Sequence, residues 1–352
     1  MVNSFPLRIL NRAEVARCLE GIDLVAVAEA VLRRHAEGLT VLPAEGYLSW
    51  RNDVNGDCRS LAMLGALTRD ADRQPVYGLK VINAATSNPA RGMERAGGIG
   101  MIFDPETARP VMLVEVGLIS ALRTAAYTVL SIRAHGPTDW STLAVIGTGT
   151  QAAVHLDLIA ADVSTLAEVR VYDIDRRRAE DFAQRASARH PKLDVLVADE
   201  PAAATVPAQV VVTATTSTAP YLGPEAFGPG TFIAHVSLDD LTAEALLEAE
   251  ALFVDDVELV QDNPRRILGR LMQDQRVLAP GRSGGADSRP LDGTLGDVLI
   301  GRRPAIRPST GYVVSNPFGM AVLDVGFLDV VRAEAQRHNI GMQLDLLPSG
   351  EG

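Results

Sequence analysis

The rhythm of apolar and polar positions changes along the chain, and each change predicts a different kind of element. Leu24, Val25, Val27, Ala28, Val31 and Leu32 recur at helical spacing, giving an amphipathic helix that starts from Asp23 and ends near Gly38. Before it, residues 5–11 suit an edge strand, and Asn11 suits the N-cap of a helix over Arg12 to Leu19. Extended segments then come at Tyr47 to Arg51, Cys58 to Leu67, Val76 to Ile82, Ile99 to Phe103 and Pro110 to Glu115. Asn55-Gly56-Asp57, Arg73-Gln74-Pro75 and Asp104-Pro105-Glu106-Thr107 separate them as turns. The first third therefore reads as an α+β domain with a mainly antiparallel sheet.

From Leu118 to Ala134 the pattern is one long helix, a bridge into a region where short apolar runs alternate with helical ones. Strands are expected at Leu143 to Ile146, Val169 to Tyr172, Leu193 to Val197, Gln209 to Ala214, Thr231 to Val236 and Leu252 to Val254. Helices are expected at Arg176 to Arg189 and Ala243 to Glu248. Wholly apolar four-residue runs fit parallel strands covered on both faces. Residues 260–301 are less regular, with a loop at Pro280 to Gly285. A helix over Asp324 to Arg337 and a short strand at Gln343 to Leu346, able to rejoin the first sheet, close the chain.

One stretch of the second region carries chemistry. After Leu143-Ala144-Val145-Ile146, Gly147-Thr148-Gly149 puts no side chain in the way of a pyrophosphate, and Ala152 holds the third small position of G-x-G-x-x-G/A. The helix that begins near Thr150-Gln151 points its free N–H groups and positive end at the phosphates. Asp173 stands 26 residues after Gly147, at the end of the next strand, where a carboxylate accepts ribose hydroxyls. Strand, turn, helix and distal acid agree on a Rossmann dinucleotide site. Asp173 repels a 2′-phosphate and so favours NAD over NADP, a preference that Arg176, Arg177 and Arg178 could offset.

Composition narrows the remaining choices. At 352 residues the chain is long enough for two domains, and 47% hydrophobic with 22% charged residues is ordinary for a soluble protein. A net charge of -11 argues against a nucleic-acid surface. Cys18 and Cys58 are isolated and expected to be reduced and structural, and the six histidines form no metal-binding pattern. No run approaches the ~18 apolar residues of a membrane span, and Met1 to Val15 lacks the form of a secretory signal. A cytoplasmic protein is expected.

Within this acidic chain, Arg59, Lys80, Arg95 and Arg123 supply cations ahead of the nucleotide strand. Lys80 sits among apolar strand residues, where an ammonium is either paired or on a solvent face. Arg123, in a helix of small residues, can clamp a carboxylate or phosphate or form a surface salt bridge. Arg91 and Arg95 lie in a Gly-rich loop that is either functional or merely solvated. Asp239 and Asp240 come after an apolar strand, at the carboxyl edge where open α/β sheets bind ligands. Either could act as acid or base, or cap the helix at Thr242.

Gly78-Leu79-Lys80-Val81-Ile82-Asn83, Phe103-Asp104-Pro105-Glu106-Thr107, Ala121-Leu122-Arg123-Thr124-Ala125-Ala126, Ile146-Gly147-Thr148-Gly149-Thr150-Gln151 and Tyr172-Asp173-Ile174-Asp175, in this order, resemble the ornithine cyclodeaminase/μ-crystallin family. The resemblance implies a homodimer with a Rossmann NAD-binding domain at 127–317. An α+β substrate and dimerisation domain would be formed by 1–126 together with 318–352. It also implies Lys80 and Asp239 as catalytic residues, with Arg59, Lys80, Arg95 and Arg123 on an amino-acid-derived substrate. Arg95 and Arg123, with Gly147, Gly149, Thr150, Gln151, Asp173, Thr215, Ile233, Ala234, His235 and Val236, would contact NAD. Leu241-Thr242-Ala243 replaces the Pro-Gly-Lys of ornithine cyclodeaminases, and their substrate arginine on the first sheet strand has no clear match near Glu45. Arg95-Ala96, His235 to Asp240 and Ser315-Asn316-Pro317-Phe318-Gly319 look instead like the branch that makes L-2,3-diaminopropionate for siderophores and peptide antibiotics. That branch oxidises an N-(amino-carboxyethyl)-glutamate conjugate and also releases 2-oxoglutarate. An ornithine or lysine cyclodeaminase, a ketimine reductase and a non-catalytic NAD-binding crystallin-like protein are the alternatives.

Overall fold

The computed structural model describes residues 5–70 and 73–346. The expected domain bounds also take in residues 1–4, 71–72 and 347–352, which lie outside the described residues. The chain divides into two compact units, Met1–Arg123 with Met320–Gly352, and Thr124–Gly319. The expected cuts at 126/127 and 317/318 compare with 123/124 and 319/320.

In the first unit a sheet runs in the order Met342–Asp345, Pro6–Leu10, Pro110–Glu115, Ala96–Phe103, Val76–Ala85, Asp57–Leu67, Thr40–Val41, and Gly46–Arg51 also pairs with Asp57–Leu67. Among the described residues of this sheet, only the Pro6–Leu10 and Pro110–Glu115 pair is parallel. The last strand does rejoin the first sheet, antiparallel to Pro6–Leu10, with Pro6 opposite Asp345. Helix Arg12–Leu19 starts on the capping box of Asn11 and Glu14, and Leu24–Ala36 starts on the Asp23 carboxylate, as their sequences predict.

Helix Ala321–Arg337 packs along one face of this sheet, over strands Asp57–Leu67, Val76–Ala85 and Ala96–Phe103. It can come close because Gly65, Gly78 and Gly100 leave room: a Cβ on Gly100 would stand 2.9 Å from Leu328, and one on Gly65 would stand 3.2 Å from Ala321. Its first eight residues are all buried, and all but Asp324 lack a polar side chain. The opposite face of the sheet keeps Leu48, Trp50, Leu64, Tyr77 and Ile99 exposed.

The second unit is a sheet of eight strands, all parallel: Asp194–Val197, Glu168–Tyr172, Thr142–Ile146, Val210–Thr213, Thr231–His235, Tyr312–Asn316, Ala251–Val254 and Gly293–Thr294. Covered on both faces, its central strands are wholly buried, and Ile146, Val211, Ile233, Leu252, Val254 and Val314 join Leu246 and Leu268 in one core. Strand order reverses between Thr142–Ile146 and Val210–Thr213, so a ligand crevice is expected beyond their carboxyl ends. The stretch expected to be irregular holds helices Val257–Gln261, Ile267–Gln273 and Leu295–Leu299, each too short to leave a clear period.

Candidate active site

In the first unit, Lys80 comes from the middle of strand Val76–Ala85, between Met63 and Gly100 on its neighbours. Its side chain turns to the helix-covered face and is 1% exposed. There its Nζ lies 2.7 Å from Oδ2 of Asp324, off the direction of a good hydrogen bond, and 3.4 Å from the Ser120 hydroxyl. Arg123 donates from Nε to the other oxygen of the same carboxylate at 3.2 Å. Asp324 is fully buried and Arg123 nearly so.

Two cations and one carboxylate thus share a water-poor space, which leaves one positive charge unbalanced within the cluster. Burial first, and then the Arg123 charge, lower the Lys80 ammonium from 10.5 to about 8, against the opposing pull of Asp324 and Glu45. An incoming carboxylate would relieve that frustration.

Arg59 sits on the same sheet face as Lys80 but pairs with Ala84, four residues further along the strand, roughly 13 Å away by strand rise. It lines a cavity of about 370 Å³ with Trp50, Asn83, Asn88 and Glu94. Arg95 immediately precedes strand Ala96–Phe103, and its carbonyl accepts from the Ala85 N–H. Of the four predicted cations, the structure joins Lys80 and Arg123 on one carboxylate and puts Arg59 and Arg95 toward the end of the sheet. Arg91 lies in the single turn Pro89–Arg91.

In the second unit, Gly147 leaves strand Thr142–Ile146 at φ +90°, and a Cβ there would stand 2.7 Å from the Ala214 carbonyl, so no other residue fits. Gly149 is different: nothing lies within 4 Å of its would-be Cβ. It caps helix Thr150–Asp162 without any side-chain hydrogen bond, leaving the first N–H groups to a ligand. Gln151 keeps a buried Oε1 with no partner. Thr148 donates its N–H and hydroxyl to Asp173 Oδ2 at 2.9 and 2.7 Å, which fixes the carboxylate at the strand tip. Arg176 is taken up by Asp199 and Glu180. An open glycine, uncapped N–H groups and an oriented acid fit a dinucleotide.

The rest of the predicted cofactor set divides. Ile233, Ala234 and His235 are fully buried inside the doubly covered sheet, so this strand offers a ligand only Val236 and the residues beyond it. Thr215 donates its hydroxyl to Asp240 Oδ1.

Just beyond, Leu238 adopts φ +76°, strained for a branched apolar residue, and the two acids after it part company. Asp239 meets Arg266 at 2.5 Å and accepts the Ile267 N–H, so it serves helix Ile267–Gln273; the helix at Thr242 is capped by Thr242 itself. Asp240, fully buried, accepts the hydroxyls of Thr215, Tyr221 and Ser237. Its backbone N–H donates to Nε2 of His235, whose ring burial keeps neutral against the opposing pull of Asp240 and of the hydrogen bond to Asn316.

Asp324 is a residue that sequence reasoning missed, since there it marks only the start of a helix. The signal was present: an acid inside the otherwise apolar run Ala321 to Leu328 cannot face water, so it needs a buried partner.

Comparison with known proteins gives this geometry its relatives. The sequence profile of the ornithine cyclodeaminase/mu-crystallin family matches residues 8–339. N-((2S)-2-amino-2-carboxyethyl)-L-glutamate dehydrogenase of Staphylococcus aureus is 28% identical over 341 residues, 96% of this chain and 98% of that protein. The crystal structure of CmnK is 48% identical, with a TM-score of 0.90 over 97% of this chain and 99% of that one. An archaeal alanine dehydrogenase dimer with bound NAD shares the fold, with a TM-score of 0.80 and 23% identity over 97% of this chain and 100% of that one. The chain belongs to the ornithine cyclodeaminase/mu-crystallin family.

Proposed function

We propose that the chain is an NAD-dependent dehydrogenase that oxidises an N-(amino-carboxyethyl)-L-glutamate conjugate at a C–N bond and hydrolyses the resulting imine to L-2,3-diaminopropionate and 2-oxoglutarate. The observation that carries this reading is the unbalanced positive charge at Lys80, Arg123 and Asp324, which suits a substrate rich in carboxylates. The name of the S. aureus relative supports the same substrate. The product would serve a siderophore or peptide natural product.

Bound NAD would supply the hydride acceptor for oxidation at the glutamate-derived α-carbon. Gly147, Gly149, Thr150, Gln151, Asp173, Thr215 and Val236 would hold it, with Arg95 and Arg123 toward the substrate. Lys80 and Arg123 clasp a substrate carboxylate, Arg59 and Arg95 receive the others, and Asp239 handles the proton of the attacking water. Proximity and fixed charge do most of the work. The exposed apolar sheet face of the first unit supports a homodimer.

The test is NADH formation at 340 nm with NAD and the synthetic conjugate, with ornithine and lysine in parallel. Reduction with the conjugate alone, together with 2-oxoglutarate, is the expected result. Turnover of ornithine or lysine instead would make the chain a cyclodeaminase.

A further inference from the structure

Three elements contribute to the Lys80 cluster: a strand, helix Gly117–His135 with Ser120 and Arg123, and helix Ala321–Arg337 with Asp324. The groups that face Lys80 are therefore Ser120, Arg123 and Asp324, with Glu45 acting from the segment before strand Gly46–Arg51. The flanking strands place only Met63 and Gly100 beside it, neither of them charged.

Lys80 and Arg123 repel each other across this space, and one carboxylate divided between them keeps them together. Each Asp324 oxygen serves one cation, at 2.7 and 3.2 Å. The carboxylate lies in the first turn of its helix, where the dipole also favours a negative charge. The glycines under that helix bring it close enough to reach the strand.

We propose that Asp324 is a positioning residue: by dividing its carboxylate, it holds Lys80 and Arg123 at a fixed spacing and offsets half of their charge, so that the pair presents one positive charge to a ligand carboxylate. This rests on the reading of the cluster as the substrate-binding half of a dehydrogenase, but its first readout needs no turnover. With Asp324 neutralised, burial and the Arg123 charge act on Lys80 with little opposition, and the ammonium loses its proton at lower pH. With Arg123 neutralised, Asp324 serves Lys80 alone and the change runs upward.

The sequence makes the measurement unusually clean, because it holds two lysines, Lys80 and Lys192. Lys192 is exposed and serves as an internal reference. In the full chain labelled at lysine ¹³Cε, the Lys80 resonance is expected to titrate near pH 8. Its midpoint should fall by about one unit or more in Asp324→Asn, rise in Arg123→Gln, and stay near the wild type in Asp324→Glu. An unchanged midpoint in folded Asp324→Asn overturns the proposal. Should that variant not fold, absence of the rise in Arg123→Gln overturns it equally.

In turnover, the basic limb of kcat/KM should move down in Asp324→Asn by the same interval, with KM carrying most of the loss and Asp324→Glu restoring much of it. A wild type that turns over none of the amines while the titrations move as stated would sink the dehydrogenase reading and leave the role of Asp324 standing.

Discussion

The two units bury charge in opposite ways. In the first, cations meet an acid: Lys80 and Arg123 share Asp324 and keep a surplus of positive charge. In the second, two interior acids rest on dipoles. Asp240 accepts three hydroxyls, and Asp255 accepts the N–H groups of Phe318, Gly319 and Asp256. Dipoles can saturate an anion, whereas one carboxylate cannot saturate two cations. The first arrangement is therefore unsatisfied and suited to a ligand, and the second is complete and suited to holding loops in place. Asp239, buried but tied to the quarter-exposed Arg266, lies between these extremes.

Replacing Lys80 with Met should break the comparison most visibly. It should cost kcat/KM by about 10³ or more, roughly 4 kcal/mol of transition-state stabilisation, measured by NADH formation. Stability should hold or improve in the same variant, because the buried ammonium is disfavoured and Arg123 with Asp324 then form a neutral pair. A large drop in the thermal midpoint would show that the cluster is structural after all.

Asp240→Ala should do the reverse to stability. Three hydroxyls would lose their acceptor, with a cost of about 3 kcal/mol expected in denaturant unfolding.

Acid should also act on the second unit. His135 and His155 are neutral inside it, each lowered to about 4 by burial, and His155 donates Nδ1–H to the Gln151 carbonyl while its Nε2 lies 3.0 Å from the Thr128 hydroxyl. Between pH 6.5 and 4 the unfolded chain binds protons that the native one refuses. Stability from these two groups is complete above pH 6.5 and lost as pH falls to 4, at most on the order of 3 kcal/mol each. Urea titrations across that window should show the decline, and His155→Gln should flatten part of it.

The two loop glycines offer a finer test. Gly149→Val meets open space in the protein but fills the place of a phosphate, so NAD affinity by calorimetry should fall at least tenfold with the thermal midpoint little changed. Gly147→Ala, at φ +90° and against a carbonyl, should instead destabilise the fold.

The smallest effect is expected at Arg12, which joins Glu94 and Glu115 on the surface. Arg12→Ala should cost under about 1 kcal/mol, and salt should erase the difference. A larger loss would mean that solvent-facing pairs carry as much here as buried ones.

Much of this was readable in the chain. Gly147, Gly149 and Asp173 announce themselves because the phosphate turn is local, built from residues within one strand–helix–strand unit. Lys80 could be flagged because an ammonium among strand apolars needs an explanation. Which explanation held, pairing rather than solvent, could not be read locally.

Local spacing determined the longer elements, the parallel and antiparallel halves and the dinucleotide loop, but not the short helices between 257 and 299, because hydrogen-bond periodicity and glycine geometry act over a few residues and need more than one turn to show. Tertiary structure alone decided the charges: which acid serves Lys80 and Arg123, which of Asp239 and Asp240 is spent on hydroxyls, and how far Arg59 stands from Lys80. Asp324 is 201 residues from Arg123 in the chain, and only the docking of its helix on the glycines of the sheet brings the two to 3.2 Å. Electrostatic pairing in a buried site depends on distances through space, and those exist only once the fold has formed.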